Sequence, residues 1–125
     1  MKIEINDHRK IYTVQKEFNE LFPFLKIEFY AKAHTSGGAS SEKLISHSSK
    51  TLGDCRTTHK EGSLTISPNM SVRDLANALN DRYGLTIKIS RAAGTDWEET
   101  TATDGWSLEE QNSTGQQSQA EQQTV

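Results

Sequence analysis

Apolar and polar positions alternate along the chain with two different periods, which predict the order of its elements. Ile3 and Ile5 are two residues apart, a spacing that predicts a short first strand over residues 2–5. Apolar residues then recur at helical spacing and predict an amphipathic helix over about residues 8–22, with the stripe Ile11, Val14, Phe18, Leu21 and Phe22. Residues 24–31 alternate again and predict a second strand.

The ends of the first helix have their own signals. Asn6 or Asp7 is expected to cap its start, because a short side-chain oxygen accepts a hydrogen bond from the first turn. Pro23 is expected to end it, because proline disfavours the helical conformation of the residue before it.

The second half of the chain repeats the pattern. Leu64 and Ile66 predict a strand, and residues 71–74 read as a capping box that opens a second helix. Its apolar stripe ends before Gly84, a residue that accepts the left-handed conformation at a helix end. Alternation over residues 85–90 predicts a further strand, and residues 97–102 predict its hairpin partner.

This order predicts an α+β fold, a two-layer sandwich with two helices on one small, mostly antiparallel sheet. The preferred version is a ferredoxin-like split β-α-β arrangement with an extra C-terminal strand. A β-grasp-like sheet is the alternative. We expect residues 1–110 to form a single α+β domain.

Two segments are expected to lack most regular structure. Residues 32–62 are rich in Ser, Thr, Gly, His and Lys and predict a long polar loop, broken by a short helix near residues 40–46 with Leu44 and Ile45 inward. After a last helical turn at residues 107–110, residues 111–125 hold six Gln and little to bury, which predicts a disordered tail.

Several runs of the second half carry a family resemblance. The runs at residues 65–75, 83–85 and 103–112, together with Trp97 and Thr100-Thr101, resemble a family of small bacterial α+β proteins with no assigned activity. The resemblance implies a bacterial origin and one compact unit over most of residues 1–112. It implies no functional residue.

The composition argues against disulfide-stabilised, membrane-associated and general nucleic-acid-binding proteins. The chain has 125 residues, one cysteine and no apolar run of the length that a membrane span needs, so we expect no disulfide, no membrane association and a cytoplasmic location. Its net charge is −3, which does not favour general nucleic-acid binding. The charge is uneven, because residues 32–60 hold five basic and two acidic side chains.

Metal-capable residues gather in the polar segment. His34, His47, Cys55 and His59 are weak candidate zinc ligands, because zinc is bound by thiolate and imidazole groups. Their spacing matches no standard zinc motif, and the simpler interpretation is a surface loop with hydrated imidazoles. Cys55 with His59 as its base is a candidate nucleophile, although a lone cysteine usually serves as a small packing residue.

Weak candidates for binding follow from charge and aromaticity: Lys50, Arg56, His59, Lys60, Arg91 and Trp97. Basic residues of this set would contact phosphates, and Tyr30 and Trp97 would offer stacking faces to bases. Trp106 is expected to be buried, by the usual preference of large aromatic side chains.

The leading hypothesis is a non-enzymatic binding or adaptor module that contacts an unknown protein partner, since no complete catalytic set is present. We expect no cofactor, no catalytic residue and no bound metal. The alternatives are nucleic-acid binding through the basic 32–62 loop and a small thiol- or metal-dependent protein centred on Cys55 and His59.

Overall fold

The strands fall into two antiparallel sheets whose apolar faces contribute to one hydrophobic core. The computed structural model describes the backbone of residues 1–34, 40–45 and 49–123, and the side chains of these residues except 32–34, 40–43 and 120–123. In the smaller sheet β1 (Lys2–Ile5) pairs with β4 (Gly62–Thr65). The larger sheet has the order β3-β2-β5-β6, formed by Ser40–Leu44, Leu25–His34, Thr86–Ala93 and Asp96–Glu99. The α-helices are α1 (Ile11–Leu21), α2 (Val72–Tyr83) and α3 (Leu108–Gln123).

The α+β sandwich predicted from the sequence is confirmed, with its strands divided between two sheets instead of joined in one. β2 pairs directly with β5, so that Ile27 lies opposite Ile89 and Phe29 opposite Ile87. In a ferredoxin-like order β1 and β4 would lie between these two strands. The direct pairing of β2 with β5 therefore excludes that order.

The two predicted amphipathic helices are confirmed, and both bury their apolar stripes. Val14 and Phe18 of α1 and Leu75 and Leu79 of α2 all lie in the core. The Oγ of Ser71 accepts a hydrogen bond from the Asp74 N–H at 3.0 Å, as the capping signal indicated. Gly84 ends α2 with φ 65°, a value that favours glycine. Among the described residues, each helix is too short or too polar to cross a lipid bilayer.

The expected cap of α1 is wrong. The helix begins at Ile11, after Lys10, whose side chain has no oxygen to accept a hydrogen bond. Asn6 instead closes a turn, in which its Oδ1 accepts from the His8 N–H at 3.0 Å. The carboxylate of Asp7 accepts from Arg56. Both candidate caps are thus used by other contacts.

The described part of residues 32–62 is more regular than a long polar loop. β2 continues to His34, and residues 40–44 form the edge strand β3 in place of the expected short helix, because they pair with the extended end of β2. Leu52–Cys55 form a 3-10 turn that buries both of its end residues. The capping box between Thr51 and Asp54 explains why this turn forms.

Residues 111–123, part of the segment expected to be a disordered tail, belong to α3, which continues to Gln123. Its inner stripe has helical spacing but is mostly polar. The Arg91 guanidinium donates to Oε1 of Gln111 at 2.7 Å, and the Phe24 N–H donates to Oδ1 of Asn112 at 2.9 Å. Ser118 donates to the Ala92 carbonyl at 3.1 Å. Leu108 anchors the start of α3 in the core, and side-chain hydrogen bonds hold the mostly polar remainder of the helix.

Candidate functional site

Asp7, Arg56 and His59 form a hydrogen-bonded group, called the Asp7 cluster below. Oδ1 of Asp7 accepts from Nε and Nη2 of Arg56 at 3.1 and 2.9 Å, and its Oδ2 lies 2.6 Å from Nδ1 of His59. Nη1 of Arg56 donates to the Tyr83 carbonyl at 3.0 Å. The cluster therefore joins the β1–α1 link, the segment before β4 and the end of α2.

The Asp7 cluster combines a buried cation with an exposed imidazole. The Arg56 side chain is 0% exposed, whereas that of His59 is 69% exposed. Partial desolvation acts to raise the pKa of Asp7, but the hydrogen bonds and charges of Arg56 and His59 outweigh it and leave the pKa below its usual value. The geometry is that of a structural ion pair, because the carboxylate is engaged on both oxygens.

A cleft of about 300 Å³ lies next to this cluster. Thr57, Asn80 and Thr86 line it with neutral polar groups. The Arg56 guanidinium borders the cleft, but it is covered and points its donors at Asp7 and Tyr83. The cleft consequently offers little positive charge to an anionic ligand.

The structure separates the candidate nucleophile from its candidate base. The Cys55 Sγ is buried and donates to the carbonyls of Leu52 and Thr51 at 3.3 and 3.7 Å, while His59 contacts Asp7. Burial, helped by the Asp54 charge and opposed by Arg56, raises the pKa of Cys55 to about 11. A thiol with this pKa stays protonated at neutral pH, and the thiolate is the reactive form.

The candidate metal ligands are only partly described. His47 and the side chain of His34 lie outside the described residues. Within the residues that the structure does describe, no group of three or more His, Cys, Asp or Glu side chains is placed to hold a metal ion. Cys55 and His59 therefore receive no third ligand from the described residues.

The candidate binding residues do not assemble into one basic patch. Lys50 and Lys60 are exposed, but Arg56 is buried between them in sequence. Arg91 lies on β5, where it donates to Gln111 at 2.7 Å and to Glu98 at 3.2 Å and stacks 5.5 Å from the ring centroid of Trp106. Trp106 is 37% exposed, so its expected burial is wrong; the Arg91 guanidinium covers only part of the ring.

Tyr30 and Trp97 share the outer face of the larger sheet but lie at opposite ends of it. Tyr30 is opposite Thr86 and Trp97 is opposite Ala92, six residues further along β5. Six strand residues span about 20 Å. The ammonium groups of Lys88 and Lys26 lie over the two rings, at 4.9 and 5.1 Å from the centroids. The rings are too far apart to stack on neighbouring bases.

A second surface feature is a groove of about 500 Å³ between α1 and the edge of β2, called the β2-edge groove below. α1 forms one wall, the first half of β2 forms the floor and the end of β3 forms the far wall. Two of its side chains, Tyr12 and Leu44, are large, apolar and 57% and 40% exposed. The lining residues are Tyr12, Gln15, Lys16, Asn19, Lys26, Ile27, Glu28, Leu44 and Ile45.

Two side-chain amides cover backbone acceptors on the floor of this groove. Nε2 of Gln15 donates to the Ile27 carbonyl at 2.9 Å, and Nδ2 of Asn19 donates to the Leu25 carbonyl at 3.1 Å. The next carbonyl on this edge, that of Phe29, accepts from the Ile45 N–H at 3.0 Å. The edge of β2 is therefore bonded to backbone at one end and to helix side chains at the other.

The β2-edge groove is not predicted by the sequence pattern, although two of its residues stand out in the sequence. Tyr12 lies next to the apolar stripe of α1 and not in it, so an amphipathic helix leaves it exposed. Leu44 is an apolar residue in a polar segment, where the sequence predicts a short helix with Leu44 inward. The β2–β3 hairpin and the position of α1 beside β2 bring the two residues to one groove.

Comparisons with known proteins add no relative: no protein-family model matches the chain, and neither a curated protein nor a solved structure matches it.

Proposed function

We propose that this protein is a non-enzymatic binding module of the bacterial cytoplasm that docks a segment of a partner protein in the β2-edge groove. The observation that carries the proposal is the exposure of Tyr12 and Leu44 on the walls of one groove. Tyrosine is enriched among residues that dominate binding energy, because it combines apolar area with a polar tip. The location rests on the sequence, which offers a single thiol and no membrane span.

The groove has the mixed chemistry of a protein-docking site. Apolar contact comes from Tyr12, Leu44 and the half-buried Ile45, while Lys16 and Lys26 supply positive charge and Glu28 adds one carboxylate. Its volume of about 500 Å³ is large enough for several side chains of a bound segment. Specific binding sites typically combine such an apolar centre with a polar rim.

The other two hypotheses have weaker support. For nucleic-acid binding, Arg56 is engaged by Asp7, and Trp97 belongs to a strand with the acidic residues Asp96, Glu98 and Glu99. The test of nucleic-acid binding is to measure the affinity for single-stranded RNA at several salt concentrations, and that hypothesis predicts a steep fall as the salt rises. For a thiol-dependent enzyme, the raised pKa of Cys55 is unfavourable.

The test is selection of linear peptides of about ten residues from a displayed library on the immobilised protein, a length suited to one strand or short helix. We expect enriched peptides whose affinity falls by about tenfold or more in Tyr12→Ser and Leu44→Thr, as for residues that carry binding energy. Trp106→Leu is the matched control, since it shortens an exposed aromatic side chain outside the groove.

Two results would count against the proposal. The selection could yield no enriched peptide, or it could yield peptides that bind Tyr12→Ser and Leu44→Thr as tightly as the parent protein. Circular dichroism on each variant separates loss of binding from loss of fold.

A further inference from the structure

The carbonyls on the floor of the β2-edge groove form a spaced row of backbone acceptors. The carbonyls of Leu25 and Ile27 both accept from side chains of α1, which places them on the edge of β2 that faces away from β5. In a strand such carbonyls recur every second residue, about 6.6 Å apart. This is the spacing of the N–H donors on one side of an extended peptide.

β3 occupies the same edge further along β2. It pairs with residues 30–34, and one more backbone bond joins Ile45 to Phe29. Within the described residues, no strand pairs with Leu25–Glu28 on this edge. The amides of Gln15 and Asn19 thus sit where the donors of an added strand would lie.

From this arrangement, and resting on the proposed function, we propose that the partner segment binds as an added β-strand in line with β3. Its N–H groups donate to the carbonyls of Ile27 and Leu25 and displace the amides of Gln15 and Asn19. Strand addition to a sheet edge is a recurrent mode of peptide recognition, in which backbone bonds give affinity and side-chain pockets give specificity.

The side chains around the edge define the chemistry of the segment. Tyr12 and Leu44 flank the groove and suit an apolar residue. Lys26 already lies 3.7 Å from Glu28 and over the Trp97 ring, whereas Lys16 has no ion pair with any described residue. Lys16 is therefore the cation that an incoming carboxylate would meet. The structure favours an extended peptide with an apolar residue and an acidic residue.

Displacing the Gln15 and Asn19 amides from the β2 carbonyls lowers the affinity for the partner segment. A variant without the Gln15 amide avoids part of this loss. In Gln15→Ala the Ile27 carbonyl has no competing side-chain donor, so an added strand gains the full bond. We expect the selected peptide to bind Gln15→Ala roughly twofold to tenfold more tightly than the parent, the range of one net hydrogen bond. Thr13→Ala, an exposed position of α1 outside the groove, is the matched control and should leave the affinity unchanged.

The closing experiment is a backbone N-methylation scan of the selected peptide against the parent protein. Methylation removes one N–H donor at a time, and we expect losses of about tenfold at alternate residues and little change between them. Losses without a two-residue alternation, or weaker binding to Gln15→Ala, would overturn strand addition while leaving the groove as a docking site. Absence of any selected peptide would instead remove the proposed function.

Discussion

The guanidinium of Arg56 is buried, and the carboxylate of Asp7 compensates its positive charge. Removing one partner of a buried pair leaves the other charge without compensation, which is more damaging than never having buried the pair. His59 binds the same carboxylate from an exposed position, where an ion pair contributes little. The role of the Asp7 cluster that the geometry supports is therefore to hold three chain segments together.

At the scale of single residues, we predict that Asp7→Asn destabilises the protein at neutral pH. The difference in stability between the variant and the parent is expected to disappear in acid. Folding lowers the pKa of Asp7 below 3.8, so the stability that its ionised form contributes is complete above that value. It is lost as the pH falls through the lower pKa of the folded state. The measurement is the urea midpoint as a function of pH, with His59→Gln as the common background so that Asp7 and Arg56 are compared alone.

A constant gap between the two midpoints from neutral to strongly acidic pH would show that the Asp7 contribution is not ionic.

Among the elements, α2 and α3 illustrate what a sequence can and cannot predict. α2 has every local signal, with a Ser71 cap, an apolar stripe and Gly84 after its last residue. α3 has an inner stripe at the same spacing, but its members include Gln111, Gly115 and Ser118. A search for apolar periodicity does not detect such a stripe, because the contacts are hydrogen bonds to β5 and to Phe24.

At the scale of elements, Gly115→Val is expected to release α3 from the sheet. A Cβ at this position would lie 3.0 Å from both the Cβ and the carbonyl oxygen of Phe24, closer than most packed atoms approach, so α3 or Phe24 must shift. We expect faster amide exchange over Leu108–Gln123 with unchanged protection in β2 and β5. Gln116→Val is the matched control, because it adds the same β-branched residue at the adjacent exposed position.

Unchanged exchange in α3 of Gly115→Val would mean that close approach to Phe24 is not required for docking.

The Asp7 cluster and the β2-edge groove also show which contacts a sequence predicts and which it does not. Arg56 and His59 were identified from the sequence, but their common partner Asp7 is about fifty residues away and was interpreted as a helix cap. The β2-edge groove depends on the pairing of β3 with β2, and the Ser- and Lys-containing sequence of β3 predicts a short helix because it lacks the residues typical of strands. The Asp7 cluster rests on contacts between residues that are distant in the sequence, whereas the groove rests on an edge strand without a sequence signal.

For the molecule as a whole, one core is built from two sheets. Ile3, Ile5 and Leu64 of the smaller sheet belong to the same buried cluster as Leu25 and Ile89 of the larger one. The backbone of the two sheets is separate, so this shared apolar contact, the helices and the Asp7 cluster are what connect them. We therefore expect neither sheet to persist without the other.

The whole-molecule prediction is that Leu64→Ala destabilises both sheets together. Leu64 is 3% exposed, and truncation of such a residue costs about 2–5 kcal/mol. Urea unfolding followed by far-ultraviolet circular dichroism and by tryptophan fluorescence, which reports on the larger sheet, should give one shared and lowered midpoint. Thr65→Ala on the exposed side of the same strand is the control, and two separate midpoints in Leu64→Ala would contradict the shared core.

Opening of α3 after Leu108 uncovers little hydrocarbon, since the surfaces that separate there include the amide and hydroxyl groups of Gln111, Asn112 and Ser118, which water can solvate. Exposed apolar patches are what usually drive partly open proteins to aggregate. We therefore expect the C-terminal part of α3 to unfold locally without causing aggregation. A helix packed through leucine side chains would expose apolar surface on opening and would promote aggregation.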